Sequence, residues 1–358
     1  MAQEWRVREY QEADEETLRE LYGLVFDESM SREKWDWLYH RNPCGDRVII
    51  VAEANGKLVG QSTMLPLHMK VGNDQGVGTL TLNVMTHPNY QGRGIFTALA
   101  RGAQQLAAEK RMVVTYAFAN ENSYPAFIRR LGWVDLGPTA PVYVRPLNTA
   151  SLLRAKFGPL SSVMAPLAHA VYLLLARPVT KALPHGWTVT SALGFDPRWD
   201  AVWERVAPRL PIAVVRDRRY LQWRYVEHPV AKYDIIAAER HGELGGYCIL
   251  RGVERFGLRL GFLMDLLVDT DHPEGADALL GRVLQIARER RYDALVCMMM
   301  PGSPWLSEVR KWGFMKVPRR LYPQALHLIA RSLSPQYDQA FITDPRAWYI
   351  TWGDHDSV

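Results

Sequence analysis

The sequence predicts an α/β protein in which one unit of strands and helices occurs twice, the copies joined by a helical connector. Three observations carry this. The chain has 358 residues, more than one compact core usually holds, so two domains are expected. Residues 80–110 read as a β-strand, a glycine-punctuated turn and a helix in direct succession. Finally, Trp37-Leu38-Tyr39-His40-Arg41-Asn42-Pro43 is echoed by Trp223-Arg224-Tyr225-Val226-Glu227-His228-Pro229, an offset of 186. The same offset pairs Ala52-Glu53 with Ala238-Glu239, Gly56 with Gly242, Leu58 with Leu244 and Gly60 with Gly246, a register too long for chance.

The elements of the first copy follow in order. Residues 5–10 alternate as a strand, and Asp14 is placed to cap a helix bearing Leu18, Leu21, Tyr22, Val25 and Phe26 on one face. A short helix over 32–41 carries Trp35, Trp37, Leu38 and Tyr39 and stops at Asn42-Pro43. Residues 48–54 and 58–69 form a hairpin about Asn55-Gly56. Residues 79–85 are the next strand; Gln91, Gly92, Arg93 and Gly94 make the turn; the helix over 95–110 repeats Leu99, Ala103 and Leu106 at helical spacing. A strand that hands over through glycines to a helix aims several backbone N–H groups at one spot, backed by the positive end of the helix dipole. That is an anion site. A buried strand over 112–119 follows, then a helix over 124–131 with Pro125 in its first turn and Gly132 as C-terminal cap, and a closing hairpin within 133–144.

Thr86-His87-Pro88-Asn89-Tyr90-Gln91-Gly92-Arg93-Gly94-Ile95 resembles motif A of the GNAT superfamily of acyl-CoA-dependent N-acyltransferases, whose Arg/Gln-x-x-Gly-x-Gly/Ala loop grips the pyrophosphate of coenzyme A. Gln91 and Gly94 take the first and fourth positions; Phe96 stands where the family has Gly or Ala, its N–H still available. The resemblance implies a mostly antiparallel mixed sheet flanked by helices, with strands 79–85 and 112–119 splaying so that the pantetheine arm of acetyl-CoA enters between them. It assigns the backbone of Val84, Met85 and Thr86 to the pantetheine and thioester, residues Gln91, Gly92, Arg93, Gly94, Ile95 and Phe96 to the pyrophosphate, and Asn122, with Asn120, to a further cofactor contact. No metal is implied.

The family's usual acid is a Tyr four residues before a Gly-Phe pair. Here the matching pair is Gly132-Trp133 and the residue is Ile128, so Tyr124, one helical turn earlier, is the candidate for the catalytic acid. No carboxylate lies between Thr79 and Asn89, the strand that usually supplies the base; His87, Glu121 and the Asp27-Glu28 pair are the substitutes.

The repeat makes residues 188–358 a degenerate GNAT-like domain after a first domain over 1–146 and a helical connector over 147–187. Trp312-Gly313-Phe314 follows a helix as Gly132-Trp133 does, but residues 269–277 carry four carboxylates where the first copy has its glycines, and these repel a pyrophosphate. Residues 347–352 alternate as a strand whose aromatics read as a packed cap; Asp354, His355 and Asp356 behind it could hold a cationic amine or a metal. The longest apolar run, 164–176, is shorter than a membrane span and reads as a buried or interdomain helix, with a membrane surface as the second reading.

Composition bounds the function. Apolar residues make up 48%, and 43 Lys and Arg against 38 Asp and Glu give a net charge of +5 without a basic run. A soluble globular protein is expected, with no nucleic-acid partner. Cys44, Cys248 and Cys297 are far apart, which argues against a zinc site or a disulfide framework and for a cytoplasmic location. The N-terminal stretch lacks a basic segment followed by an apolar core, so secretion is not expected, and no transmembrane segment is read. The expected function is transfer of an acetyl or other short acyl group from acyl-CoA directly to a primary amine of a small molecule or peptide. The alternatives are a Fem-like aminoacyl transferase, which pairs two GNAT-like domains with charged tRNA, and a non-catalytic acyl-CoA-binding protein.

Overall fold

The computed structural model describes residues 5–45, 47–137, 140–179, 181–322 and 326–355. Two compact units emerge: unit 1 comprises Met1–Ala140, Glu227–Val230 and Gln324–Asp344, and unit 2 comprises Pro141–Val226, Ala231–Pro323 and Pro345–Val358.

Unit 1 opens with β1 (Trp5–Glu9), then α1 (Glu15–Phe26) and α2 (Arg32–Tyr39), whose N-cap Ser31 accepts from the Lys34 N–H. The hairpin β2 (Val48–Ala54) and β3 (Lys57–Val71) turns through Asn55 at φ 51° and Gly56 at φ 72°, the left-handed pair that matches strand twist. Next comes β4 (Asp74–Thr86), longer than the sequence suggested because a second turn through Gly72 folds it back along β3. The glycine loop follows, then α3 (Ile95–Glu109), β5 (Val114–Ala119), α4 (Tyr124–Leu131) and β6 (Val134–Asp135). Ile95, Leu99, Ala103 and Ala107 on one face of α3 pack on Val48, Ile50, Ala52 and Met64 of β2 and β3. A Cβ on Gly60 would sit 2.8 Å from Leu99 and 2.9 Å from the Met85 carbonyl, so only glycine lets β3 pass that close.

Unit 2 begins with β7 (Val142–Pro146), α5 (Thr149–Phe157), a 3₁₀ segment (Pro159–Met164) and α6 (Ala165–Ala176). Tyr172 is the only buried residue of α6, which overturns the expectation of a buried helix. Then come β8 (Trp187–Ala192), α7 (Pro197–Val206), β9 (Ile212–Val214) and α8 (Arg218–Leu221), which runs on into one π-helical turn (Gln222–Val226). After these lie β10 (Asp234–Arg240), β11 (Glu243–Arg255), β12 (Leu258–Val268), α9 (Glu274–Glu289), β13 (Ala294–Met298), α10 (Leu306–Lys311) and β14 (Met315–Lys316). The chain then gives β15 (His327–Ser332) and α11 (Gln339–Ile342) to unit 1, and β16 (Trp348–Tyr349) to unit 2, where it pairs parallel with β9. The strand expected over 347–352 is thus only two residues long, but its aromatics are packed: Trp348, Tyr349 and Trp352 are all buried.

The sheet of unit 1 runs β1-β2-β3-β4-β5-β15-β6 and that of unit 2 runs β8-β10-β11-β12-β13-β7-β14. Both are mostly antiparallel with one parallel pair, β4–β5 and β12–β13. The repeat extends to a backbone irregularity: a bulge separates Ala52 from Glu53 opposite Gly60, and another separates Ala238 from Glu239 opposite Gly246.

The hairpin expected within 133–144 does not form. Val134–Asp135 pairs with β15 in unit 1, whereas Val142–Pro146 lies between β13 and β14 in unit 2. Each sheet therefore receives its last long strand from the other half of the sequence. A short alternating strand states which face it buries and says nothing about its partner.

Candidate functional site

Among the described residues, strands β4 and β5 pair in parallel only at Thr79–Thr115 and Leu80–Tyr116. On its other edge β5 pairs with β15 along its whole length, from Val114 opposite Ser332 to Ala119 opposite His327, so residues 117–119 stay in the sheet without β4. The two parallel strands thus part, leaving a wedge lined on one side by residues 82–86.

The hydrogen-bond direction within the wedge follows from register. The His87 N–H bonds back to the Val59 carbonyl at 2.8 Å. Alternation turns the backbone groups of Thr86 and Val84 to the other edge, toward the wedge. A bulge interrupts the β3–β4 ladder between Gln61–Met85 and Thr63–Leu82, and Asn83 sits in it at φ 50°. Val84 packs on the α3–α4 side, while Asn83 turns the opposite way and donates to the Tyr39 hydroxyl at 2.7 Å.

At the mouth of the wedge the chain passes a 3₁₀ turn (Pro88–Tyr90) and the glycine loop. Gly92 and Gly94 adopt φ 76° and 82°, and a Cβ on either would meet no atom within 4 Å. Backbone conformation rather than crowding requires glycine there. Gly94 is the N-cap of α3, and Ala98 is the first residue whose N–H folds back, onto the Gly94 carbonyl at 3.1 Å. The N–H groups of Gly92, Gly94, Ile95, Phe96 and Thr97 have no partner among the described residues. Five donors at the positive end of a 15-residue helix suit a diphosphate. Gln91 and Arg93 are exposed; Gln91 donates to the Thr86 carbonyl at 3.4 Å, and the Arg93 guanidinium lies 5.0 Å over the Tyr90 ring. Ile95 is buried and anchors the helix start, and Phe96, which replaces the family's small residue, packs edge-on against Phe127 of α4 at 5.4 Å. Met85 is buried and pairs with Gln61, its side chain part of the sheet's core.

The acid and base candidates separate. Tyr124 and Ile128 lie with Val84 and Phe96 on one apolar cluster containing Ala117, Ala119 and Phe127, so α4 does present Tyr124 on the wedge side. Its hydroxyl donates to the Asp135 carboxylate of β6, and its ring stacks on His327 at 3.9 Å. His87 is a capping residue: its Nδ1 accepts from the Asn89 N–H at 3.2 Å. Asn120 builds the turn before α4, its side-chain oxygen accepting from the N–H groups of Asn122 and Ser123. The Asn122 side chain is exposed, as is Glu121. Asp27 is the left-handed C-cap of α1, and Glu28 pairs with Lys34 at 3.1 Å.

A polar cluster at the bulge was not read from the sequence. Tyr39, Gln61, Thr63 and Asn83 bond to one another on the sheet face opposite α3, and Gln61, 1% exposed, keeps its side-chain oxygen without a donor among the described residues. The signal was present: an asparagine inside Thr-Leu-Thr-Leu-Asn-Val-Met is foreign to a strand and at home at a left-handed bulge.

Unit 2 repeats the backbone without the opening. Its Asp269 N–H bonds to the Gly245 carbonyl at 2.8 Å, as His87 does to Val59. The carbonyls of Leu266 and Val268, equivalent to those of Val84 and Thr86, accept from the Tyr349 hydroxyl at 2.7 Å and the Trp305 indole at 3.1 Å. At the start of α9 the N–H groups of Asp271, His272, Gly275 and Ala276 are bonded within the loop. Asp354, offered above as a ligand, is buried with Arg216, which bonds Asp354 at 2.6 Å and Asp265 at 3.0 Å. The cation it holds is this arginine. Asp356 lies outside the described residues, and no cluster of three metal-ligating side chains occurs among them.

Residues 6–134 match a family model described as an acetyltransferase (GNAT) domain. A probable N-acyltransferase from Enterococcus faecalis V583 superposes with a TM-score of 0.64 at 14% identity, covering 92% of this chain and 73% of that one. A tandem GNAT protein from the clavulanic acid biosynthesis pathway gives 0.57 at 15%, covering 93% and 99%. Saccharomyces cerevisiae N-myristoyltransferase with bound myristoyl-CoA gives 0.59 at 12%, covering 98% and 90%. Comparison with curated proteins gives no match. Residues 6–134 are thus similar to GNAT acetyltransferase domains, and the chain as a whole has the fold of tandem GNAT proteins.

Proposed function

We propose that unit 1 of this tandem GNAT protein transfers an acyl group, acetyl or another short chain, from acyl-CoA directly to a primary amine. The observation that supports the reading is the coincidence of an open β4–β5 wedge with unpaired N–H groups at the start of α3 in unit 1, while in unit 2 the equivalent carbonyls and four N–H groups before and at the start of α9 are bonded by its own residues.

The roles follow from position. Gly92, Gly94, Ile95 and Phe96 offer backbone donors to the pyrophosphate, Arg93 adds positive charge beside them, and Gln91 ties the loop to Thr86. The backbone of Val84 and Thr86 supplies the polar edge for the pantetheine arm. A backbone N–H near the bulge faces the thioester oxygen as it gains charge, an interaction worth roughly 3 to 4 kcal/mol elsewhere. The amine approaches from the opposite face, where the free oxygen of Gln61 accepts one of its hydrogens and Asn83 and Tyr39 orient it. This lining is neutral, so the amine must arrive or become deprotonated through water. Tyr124 is the candidate to return a proton to the departing thiolate.

A second reading, a non-catalytic acyl-CoA-binding protein, is favoured by one observation: the Tyr124 hydroxyl already donates to Asp135. Release of free thiol from acetyl-CoA in the presence of a panel of primary amines separates the two. Catalysis predicts amine-dependent thiol release by the wild type and none by Gly94→Glu; binding without thiol release for any amine would favour the sensor.

A further inference from the structure

Residues 136–195 contain no aspartate or glutamate, yet they include Arg145, Arg154, Lys156, Arg177 and Lys181. Within this stretch α5, the 3₁₀ segment and α6 pack on one another as a helical hairpin whose outer side is apolar. Leu160 is 87% exposed, Val163 79% and Leu174 67%, with Phe157 and Leu167 exposed beside them. Pro159–Ala176 is long and apolar enough by composition to cross a membrane, and only 6% of it is buried. An apolar surface of this extent marks an interaction site.

The attachment of the hairpin decides its orientation. The Asn148 N–H bonds to Asp293, the Val179 N–H bonds to Lys311 at 3.0 Å, and the Tyr172 hydroxyl in α6 bonds to Gly313 at 3.1 Å. Both ends and the middle are thus fixed to unit 2, so the segment cannot thread through a bilayer. The 12 residues of α6 span about 18 Å, well short of the ~30 Å hydrocarbon core. Lying in the plane of an interface is the geometry left to it.

Charge selects the surface. Arg154, Lys156 and Arg177 are exposed on the hairpin. At its root an open cleft of about 670 Å³ is lined by Asn148, Ala165, His169, Arg288 and Arg291, and no carboxylate is among its lining residues. We propose that α5 and α6 dock this protein in-plane on an anionic phospholipid surface, the leucines entering the headgroup boundary and the arginines and Lys156 facing lipid phosphates. A second copy on the same face would press these cations against their own counterparts, which disfavours a symmetric dimer there. The inference stands independently of the acyl-transfer reading.

Flotation of the full chain with vesicles tests it. Wild type is expected to float with phosphatidylcholine vesicles containing phosphatidylserine, to float less with phosphatidylcholine alone, and to detach as salt rises. Leu167→Glu/Leu174→Glu and Arg154→Glu/Lys156→Glu should each lower the bound fraction by on the order of tenfold. All four positions are exposed, so melting temperatures should match wild type. Absence of flotation with anionic vesicles, equal flotation with both vesicle types, or a concentration-dependent dimer that Leu167→Glu/Leu174→Glu dissolves would overturn the proposal.

Discussion

Tyr124 is held at both ends, its ring on His327 and its hydroxyl on Asp135, whose other oxygen is buried without a partner among the described residues. Tyr124→Phe therefore removes a donor from a half-buried carboxylate, at a cost of about 1 to 3 kcal/mol. If the phenol also returns the proton to the thiolate, turnover falls by about 100-fold while acetyl-CoA affinity stays within a factor of about two. Steady-state kinetics beside a melting curve read both, and a variant that melts lower yet turns over at the wild-type rate leaves Tyr124 a packing role. Asp14 gives a pH-dependent case. The Arg8 guanidinium, bonded to it at 2.7 and 2.8 Å, holds its carboxyl below the usual carboxylate range despite burial. A depressed folded value stabilises above the unfolded value of about 3.9, and the contribution is lost as pH falls through the folded one. Asp14→Asn should lower the melting temperature at pH 7, with the gap closing below about pH 4; a gap independent of pH would contradict the ion pair. At this scale the glycine loop was legible because only a left-handed turn needs Gly92 and Gly94. Asn83 was not read, because its meaning depends on a bulge that pairing with β3 creates.

Element by element, what could be read was whatever the chain states locally. The Asn55-Gly56 turn, the face of α3 and the cap at Gly132 follow from residue chemistry alone. The exchange of β7 and β15 between units was hidden, since period-2 alternation fixes a face and not a partner. The filling of the second wedge was hidden too, because it depends on where the C-terminal residues travel. Tyr349 donates to Asp265 at 2.8 Å and to the Leu266 carbonyl, joining β12 to the buried Arg216 cluster. Tyr349→Phe is expected to cost about 1 to 3 kcal/mol in chemical denaturation, since the single O–H shared by two buried acceptors is lost. A stability within about 0.5 kcal/mol of wild type would show that the wedge of unit 2 does not depend on this bond.

For the whole molecule, one sheet plan serves two purposes. The 186-residue offset predicted the second copy, and the bulges at Ala52 and Ala238 match at that offset. The local sequence then sets the two apart: glycines at the start of α3 leave N–H groups unpaired, whereas before and at the start of α9 the N–H groups of Asp271, His272, Gly275 and Ala276 are bonded locally. The central claim is that unit 1 holds the acyl-CoA site through this loop. Thermal unfolding of wild type and Gly94→Glu, each with and without acetyl-CoA, tests it most directly. Ligand at a hundred times its dissociation constant should stabilise wild type by about 2.7 kcal/mol. Gly94→Glu, with a carboxylate among the phosphate donors, should gain nothing. Stabilisation of both proteins equally would place the ligand elsewhere, and stabilisation of neither would contradict the site.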